Sequence, residues 1–511
     1  MASVVRVSSL DGVETGRLPR DAEAVIGSVL GGASVVAVAA GCVGRESRLS
    51  FISCILRLAE EYGVDGVVVL ATPRTRPDSE RALRVVSDAG VAIPGVIVEV
   101  SDAPGILERA ARRLVEYLAA RFPRVVSCTS PGSRRLAAAL ALASVTPGSV
   151  EGSEANVVHL DFWWGPWTGL PYPLVPRPLE PLYVIHPVWE PPRGREAPKW
   201  LRKLRVRELL ESVGVEAGSL RACIAVKALQ VNIECSGTAR YDYDRAECTP
   251  CVLSLETPLG EITVDDWCKP ESWVKAAEDA GKLASSDKGI PGLVVRALAE
   301  ASGLYWWLAG SEDGRGEALL YTLGDRLLVD ANLVYKGVHI EALMGASIAL
   351  PWAVVAEIER SLAEALKRNA GLRDPEKVLR RIVAGVLLRE LQATTPVLPS
   401  DPPPADTAMI RMDPLILEKY TLVTEDTGAY TLWRSHPSSK ITRVLSARQS
   451  LEPWRWDEID VRARAARAAY ALLHVACLAE KTRGMLRGTN AWQTIGIHLE
   501  KFKIKTRKHT S

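Results

Sequence analysis

Asparagine and glutamine are scarce in this chain, five and four among 511 residues, while Arg, Glu, Val, Leu and Pro are plentiful. That bias fits a thermophilic source, where heat-labile amides are avoided. Net charge is nearly absent too, at +2. The surface as a whole is therefore no polyanion binder, and any nucleic-acid contact must come from a local patch. One such patch is "KFKIKTRKHT" (501–510), with five Lys or Arg and no acid. A solvated basic tail and an RNA contact both account for it. No secretory leader is visible: "MASVVRVSSLDGVETGR" lacks a basic start followed by an apolar core. Val25 to Gly44 is uncharged and long enough for a bilayer, but a Gly pair divides it, so a short helix, a turn and a buried strand explain it better. The expectation is a cytoplasmic protein with no membrane contact.

At 47% hydrophobic and 24% charged residues, the composition is that of a globular protein, and the length implies two to four domains. From Ser34 to about Ser144, short apolar runs alternate with amphipathic stretches. "SVVAVAA" (34–40), "GVVVLAT" (66–72), "GVIVEV" (95–100) and "RVVSC" (124–128) read as strands. Residues 46–63, 77–90, 104–122 and 132–144 read as helices. Continuous apolar strands between such helices predict a parallel sheet covered on both faces, a Rossmann-like doubly wound α/β fold. "NVVHLDFWW" (156–164) and "PLYVIHPVWE" (181–190) read as an antiparallel pair at the sheet edge.

Ligands of such sheets bind beyond the carboxyl ends of the strands, where strand order switches. Two turns there have suitable chemistry. "AAGCVGRES" (39–47) brings Gly41 and Gly44 for close backbone approach and Arg45 as a fork of donors. "CTSPGSRR" (128–135) brings the Thr129, Ser130 and Ser133 hydroxyls, Gly132 for a tight turn, and Arg134 at a helix start. Neither is a GxGxxG or Walker A motif, and an ordinary tight turn also fits each alone. Taken together, "GCVGRES" and "TSPGSRRLAAALALA" resemble the paired loops of the CARF domain, the CRISPR-associated Rossmann-like sensor. The resemblance covers roughly 1–190. It implies a homodimer with a two-fold pocket for a cyclic oligoadenylate, touched by Gly41, Gly44, Arg45, Thr129, Ser130, Gly132, Ser133 and Arg134. Where the family commonly has a Gly-Gly-Thr type of loop, this chain has Ser-Pro-Gly-Ser.

"WEPPRGREAPKW" (189–200) reads as a linker, and residues 191–319 as a middle α+β region. Within it, 204–230 has the pattern of two helices around Gly214, found in packed helix pairs and in DNA-reading helix–turn–helix units. Cys235, Cys248, Cys251 and Cys268 follow within a short span, with "CTPC" able to present two thiolates to one Zn²⁺. Because the other two cysteines are single, disulfides and buried thiols compete with the zinc reading. Residues 275–310 read as helical with a Gly break.

In the last third, acids recur at strand ends. "DRLLVDANLVYKG" reads as a strand ending at Asp330, with Asn332 beside it. "ASIALPWAVVAEIERSLAEALKR" (346–368) reads as a strand entering a helix, with Pro351 at its first position. Val355, Ile358, Leu362 and Leu366 form its buried stripe, and Glu357 borders it. A further helix spans 375–394. A Pro-rich lead then reaches a helix near Asp406, with Asp413 as a rival acid, and "TLVTEDTGAYTLW" is a strand followed by Thr424, Glu425 and Asp426. Clustered carboxylates repel unless cations neutralise them, and oxygen-rich sites of this kind hold Mg²⁺ or Mn²⁺. The order of "VDAN", "PWAVVAE", "ADTA" and "TED" resembles the PIN nuclease domain over about 320–455. The resemblance implies that Asp330, Glu357, Asp406 and Asp426 bind metal and that Asn332 and Thr424 orient ligands by hydrogen bonding. Asp406 is preferred to Asp413 because it begins the helix at close to the family spacing from Asp426. Residues 457–486 then form a long amphipathic helix within a terminal region (456–511). Its Arg-bearing side is read as solvated or as facing a phosphate backbone.

The two resemblances together imply a cyclic-oligoadenylate-activated, metal-dependent endoribonuclease of CRISPR type III defence, with single-stranded RNA as substrate. Two rivals are weighed against it: a stand-alone RNA-processing nuclease with a zinc module, and a non-enzymatic sensor that binds DNA through the helix–turn–helix.

Overall fold

A computed structural model describes residues 4–7, 20–103, 105–145, 155–162, 165–176, 179–191, 203–216, 218–227, 230–235, 251–257, 260–284, 292–311, 317–366, 375–451 and 461–485. The basic tail at 501–510 and Cys248 lie outside the described residues. The chain forms two compact units. One comprises Met1–Trp163 and Gly169–Gly218, the other Trp164–Thr168 and Ser219–Ser511.

The first unit is a mixed α/β layer structure on seven strands: β1 (Val4–Val7), β2 (Val35–Ala40), β3 (Gly66–Ala71), β4 (Gly95–Glu99), β5 (Arg124–Cys128), β6 (Asn156–Leu160) and β7 (Leu182–His186). Their order is β1-β4-β3-β2-β5-β6-β7. Only β6 and β7 pair antiparallel, at the edge, as their sequences predict. Every residue of β2 and β3 is buried, which explains why these runs are apolar throughout rather than alternating. Helices Arg20–Leu30, Gly44–Glu61, Arg76–Asp88, Ile106–Arg121 and Arg134–Val145 connect the parallel strands. Ile106–Arg121 buries Ala110, Leu114 and Leu118, the stripe its period dictates. β1 was not foreseen from the sequence, because "VVRV" is too short to signal alone. Strand order switches between β2 and β5, which places the two loops singled out above side by side. A disulfide joins Cys54 of helix Gly44–Glu61 to Cys128 at the end of β5.

The second unit begins with a three-stranded antiparallel sheet, β8 (Gln230–Cys235), β9 (Cys251–Thr257) and β10 (Gly260–Val264), in the order β10-β9-β8. Its larger sheet holds β11 (Trp306–Gly310), β12 (Ala318–Leu319), β13 (Arg326–Val329), β14 (Ser347–Pro351), β15 (Val397–Leu398), β16 (Thr421–Thr424) and β17 (Val444–Ser450). The order is β12-β11-β17-β16-β13-β14-β15. β13 to β17 run parallel, and β11 is antiparallel to both β12 and β17. Leu327, Leu328, Ile348, Leu350 and Leu422 fill the core beneath the parallel strands.

Several local expectations change. Residues 275–310 are not continuously helical: helices Pro270–Ala284 and Gly292–Ala301 give way to β11, whose five residues are all buried. A fully buried strand shows no alternation, so "WWLAG" imitates helix core. This sheet therefore starts ahead of the boundary expected at 320. Pro351 closes β14 and stands just before helix Trp352–Ala365 rather than inside it. Leu366 is exposed, since that helix ends before it. The helix–turn–helix does not form one module: Val206–Ser212 belongs to the first unit and Leu220–Lys227 to the second.

Helix Val461–Met485 departs furthest from its reading. Arg464 and Arg467 are 2% and 1% exposed, among buried Ala465, Ala469, Leu472 and Val475. The Arg side is thus neither solvated nor open to a phosphate backbone. Arg467 Nη2 lies 2.6 Å from Glu341 Oε1 and donates to the Tyr305 carbonyl at 2.9 Å, and Nε donates to that of Gly303 at 3.3 Å. Its guanidinium covers the Trp306 ring at 4.0 Å.

Candidate active site

β16, β13 and β14 lie adjacent and parallel, so their carboxyl ends open on one edge of the sheet. Asp330 follows β13 directly and stands at the first, non-helical position before the short helix Ala331–Tyr335, without a capping hydrogen bond from its side chain. Asp426 follows β16 and caps helix Thr427–Ser435, accepting from the Ala429 amide at 2.9 Å. Glu357 stands in the second turn of Trp352–Ala365, and its Oε2 accepts from the Ala405 amide at 3.1 Å. One helix's carboxylate thus caps the amino end of Ala405–Ile410, which carries Asp406 in its first turn. Acid-bearing turns are favoured at these positions because free amides there need acceptors.

Neighbouring acids raise two of the four carboxyls, Asp330 and Asp406. Asp330 is 2% exposed, and burial pushes its carboxyl up to about 6. The Thr424 hydrogen bond opposes that rise, while the charges of Asp406 and Glu357 add to it. Asp406 is raised by burial, then by Glu357 and Asp426. Thr424 is fully buried and links two acids: its hydroxyl donates to Asp330 Oδ2 at 2.8 Å and accepts from the Asp426 amide at 2.9 Å. Asn332 Nδ2 donates to Asp330 Oδ2 at 3.2 Å. Asp413 is exposed and caps Pro414–Leu417 through the Leu415 amide at 2.8 Å. Asp406, rather than Asp413, is the aspartate from this stretch whose charge acts on Asp330.

Sequence reasoning missed one pair at the rim. Lys336 Nζ and Glu425 Oε1 are 2.5 Å apart, and the Lys336 carbonyl accepts from Gln449 Nε2 at 2.7 Å. The signal was available: Lys336 closely follows Asp330, and Glu425 lies between Thr424 and Asp426. This cation answers Glu425, so among the described residues Asp330 has hydroxyl and amide donors but no ion pair. A buried carboxylate in that condition suits a hard cation, and the all-oxygen donor set suits Mg²⁺ or Mn²⁺. Among the described residues, however, no three His, Cys, Asp or Glu side chains are close enough to hold one ion together. The donors fit in kind, and at most two of these side chains could hold one ion directly.

In the first unit, the loops after β2 and β5 touch. Gly132 has φ +93°, and a Cβ there would meet Ala40 Cβ at 2.6 Å and the Gly41 carbonyl oxygen at 2.9 Å. Glycine is therefore required both for its backbone angle and for this approach. The Gly132 amide donates to Ser47 Oγ at 3.1 Å, and the Gly44 amide to Asp78 Oδ2 at 2.8 Å. The Thr129 hydroxyl donates to the Val158 carbonyl at 3.2 Å and lies 3.1 Å from His159 Nδ1. Ser130 Oγ accepts from the Leu160 amide, and Ser133 Oγ from that of Leu136 at 3.3 Å. Ser133 and Arg134 are exposed. Arg45 does not join this group: its Nη2 donates to the Val213 carbonyl at 2.8 Å.

The middle cysteines do not assemble as a four-thiolate set. Cys268 is disulfide-bonded, so it supplies no thiolate. Cys235 and Cys251 are register partners on β8 and β9. Elsewhere in the second unit, Cys223 and Cys477 form a disulfide.

Among the described residues, no helix is long and apolar enough to cross a membrane. No protein-family model matches the sequence, and no curated protein matches it. Among solved structures, the chain is similar to Can2 from Sulfobacillus thermosulfidooxidans in complex with cyclic tetra-adenylate. The likeness has 13% identity and a TM-score of 0.22, and covers 35% of this chain and 40% of that one. A likeness of that extent fixes neither ligand nor activity.

Proposed function

We propose that this chain is a divalent-metal-dependent endoribonuclease of CRISPR type III antiviral defence, switched on by a cyclic oligoadenylate. The observation that carries the reading is the convergence of Asp330, Glu357, Asp406 and Asp426, from four separate elements, on one sheet edge with Thr424 bridging two of them. Structural carboxylates are normally dispersed or paired with cations, because gathering them costs energy. The motif order resembling PIN nucleases supports RNA as substrate. The glycine-mediated contact of the two loops at the first sheet's switch point supports a sensing role for the first unit.

Mg²⁺ or Mn²⁺ held at this edge by at most two of the acids directly, and otherwise through retained waters, would supply an activated water and neutralise charge building on the phosphate. The chain's own residues set the stage for that chemistry. Thr424 fixes the orientation of the Asp330 carboxylate and, through the Asp426 amide, ties it to the next helix. Asn332 adds a second donor to the same Asp330 oxygen. Glu357 holds the amino end of the Asp406 helix, so those two acids are positioned together. Activation requires that the cyclic ligand bind the cleaving state more tightly than the resting one.

The test is cleavage of single-stranded RNA by the purified full chain with Mn²⁺, with and without cyclic tetra- or hexa-adenylate. Asp330→Ala should reduce activated cleavage by about 10²–10³-fold, in line with loss of a group that stabilises the transition state. Undiminished cleavage by that variant would sink the site assignment. Cleavage indifferent to every cyclic oligoadenylate would sink the sensing half.

A further inference from the structure

A cavity of about 360 Å³ lies in the first unit, between helices Gly44–Glu61 and Arg76–Asp88 and the segment 211–214. It is separate from the paired loops. Successive helix residues are rotated by about 100°. Ser47, which meets the Gly132 loop, therefore points well away from Arg45, Arg48, Leu49 and Ile52, which line the cavity. The floor is apolar, formed by Leu49, Ile52 and Val85, and the rim is cationic, formed by Arg45, Arg48 and Arg81.

The acids nearby neutralise that rim only in part. Asp78 lies 3.8 Å from Arg48 and 3.6 Å from Arg81, beyond hydrogen-bond reach, and its other oxygen takes the Gly44 amide at 2.8 Å. Glu211 lines the cavity but pairs with Arg207 at 2.8 Å. Arg45 meets only a neutral acceptor, the Val213 carbonyl. Three guanidinium groups are thus met by one long, shared ion pair to Asp78 and by Glu211, which is engaged with Arg207, so positive charge remains in excess. Guanidinium forks match phosphate oxygens, and an apolar floor matches a flat ring. The volume lies within the roughly 300–1,000 Å³ range of small-molecule sites.

We propose that this cavity binds a phosphomonoester carried on a flat apolar body, of mononucleotide size. The phosphate sits among Arg45, Arg48 and Arg81, and the ring lies on Leu49, Ile52 and Val85. The site also touches segment 211–214, shortly before Gly218, where the first unit ends. An occupant therefore contacts the stretch of chain that leads toward the second unit. This site is independent of the loop pair and of the sensor reading.

The experiment is calorimetric titration of the full chain at low salt with AMP, adenosine and inorganic phosphate as probes. One AMP should bind per chain, with adenosine and phosphate each at least about tenfold weaker, because each supplies half of the recognition. Arg48→Ala combined with Arg81→Ala should weaken AMP at least about tenfold, and Arg48→Lys should retain part of the affinity. Both arginines are partly or largely exposed, so the variants should keep the wild-type melting profile. Absence of AMP binding, or equal AMP affinity in the Arg48/Arg81 variant, overturns the proposal. So does AMP binding that is lost in Thr129→Val but kept in the arginine variant, since that assigns it to the loop pair.

Discussion

Replacing Arg467 by Met tests the buried pair on the last described helix. Methionine keeps length and apolar bulk and removes only the charge and its donors. Glu341, fully buried, then loses its 2.6 Å partner, while its other oxygen already has none among the described residues. Removing one member of a buried pair costs about 3–5 kcal/mol. The lost stacking of the guanidinium on Trp306 adds about 1 kcal/mol. The expected cost is about 4–6 kcal/mol, against about 0.5 kcal/mol for an arginine on a solvated face. At about 2–4 °C per kcal/mol, calorimetry should show the second unit's transition falling by roughly 10–20 °C. The double variant Arg467→Met with Glu341→Leu should recover most of that loss, because no uncompensated charge remains. A single-variant cost below about 1 kcal/mol, or a double variant as unstable as the two singles summed, refutes the reasoning.

Three other outcomes follow from the geometry. Under the function proposed above, Asp406→Ala should lower metal-dependent RNA cleavage at least about 100-fold, whereas Asp413→Ala should leave it within about twofold, because Asp413 serves an exposed cap. Burial raises Glu180 to about 8 and Glu60 to about 7, from an ordinary 4.5. A raised carboxyl adds stability that is full below the unfolded value and is lost as pH rises through the folded one. The first unit should therefore lose stability from about pH 4.5 to about pH 8, roughly 4 kcal/mol of it between pH 6 and pH 9, by denaturant titration, and Glu180→Gln should flatten that slope. Opening the Cys54–Cys128 disulfide, which spans 74 residues, should destabilise the first unit by about 4 kcal/mol on the chain-entropy account, read as the melting shift of Cys54→Ser/Cys128→Ser.

The parallel strands, their intervening helices and the acids at their ends were legible in the sequence because each is encoded locally. A run such as "SVVAVAA" or "RLLVD" carries its own burial pattern, and turn acids sit where free amides require them. What was not legible depends on distant partners. Arg464 and Arg467 resemble a solvated face in sequence, since neither Glu341 nor Trp306 lies near them in the chain. β11 passes for helix because burial on both faces erases alternation. Asp406 and Asp413 are equivalent as letters. They separate only once Glu357 caps the Asp406 helix from another element and Asp413 turns out to face solvent. Arg45 looked like a loop ligand by position, but the Val213 carbonyl draws it to the other side of its helix.

β17 lies between β11 and β16 in the second sheet, and Arg467 follows it in the chain. During synthesis, all four acids emerge before either piece exists. A chain interrupted ahead of residue 444 leaves β11 without its inner neighbour and Glu341 without its cation. Such a fragment carries the four acids and the direct pairings of β13 with β14 and β16, but β16 lacks its outer neighbour. The last strand and helix thus complete the second sheet and the buried Arg467–Glu341 pair only after every acid-bearing strand has been made.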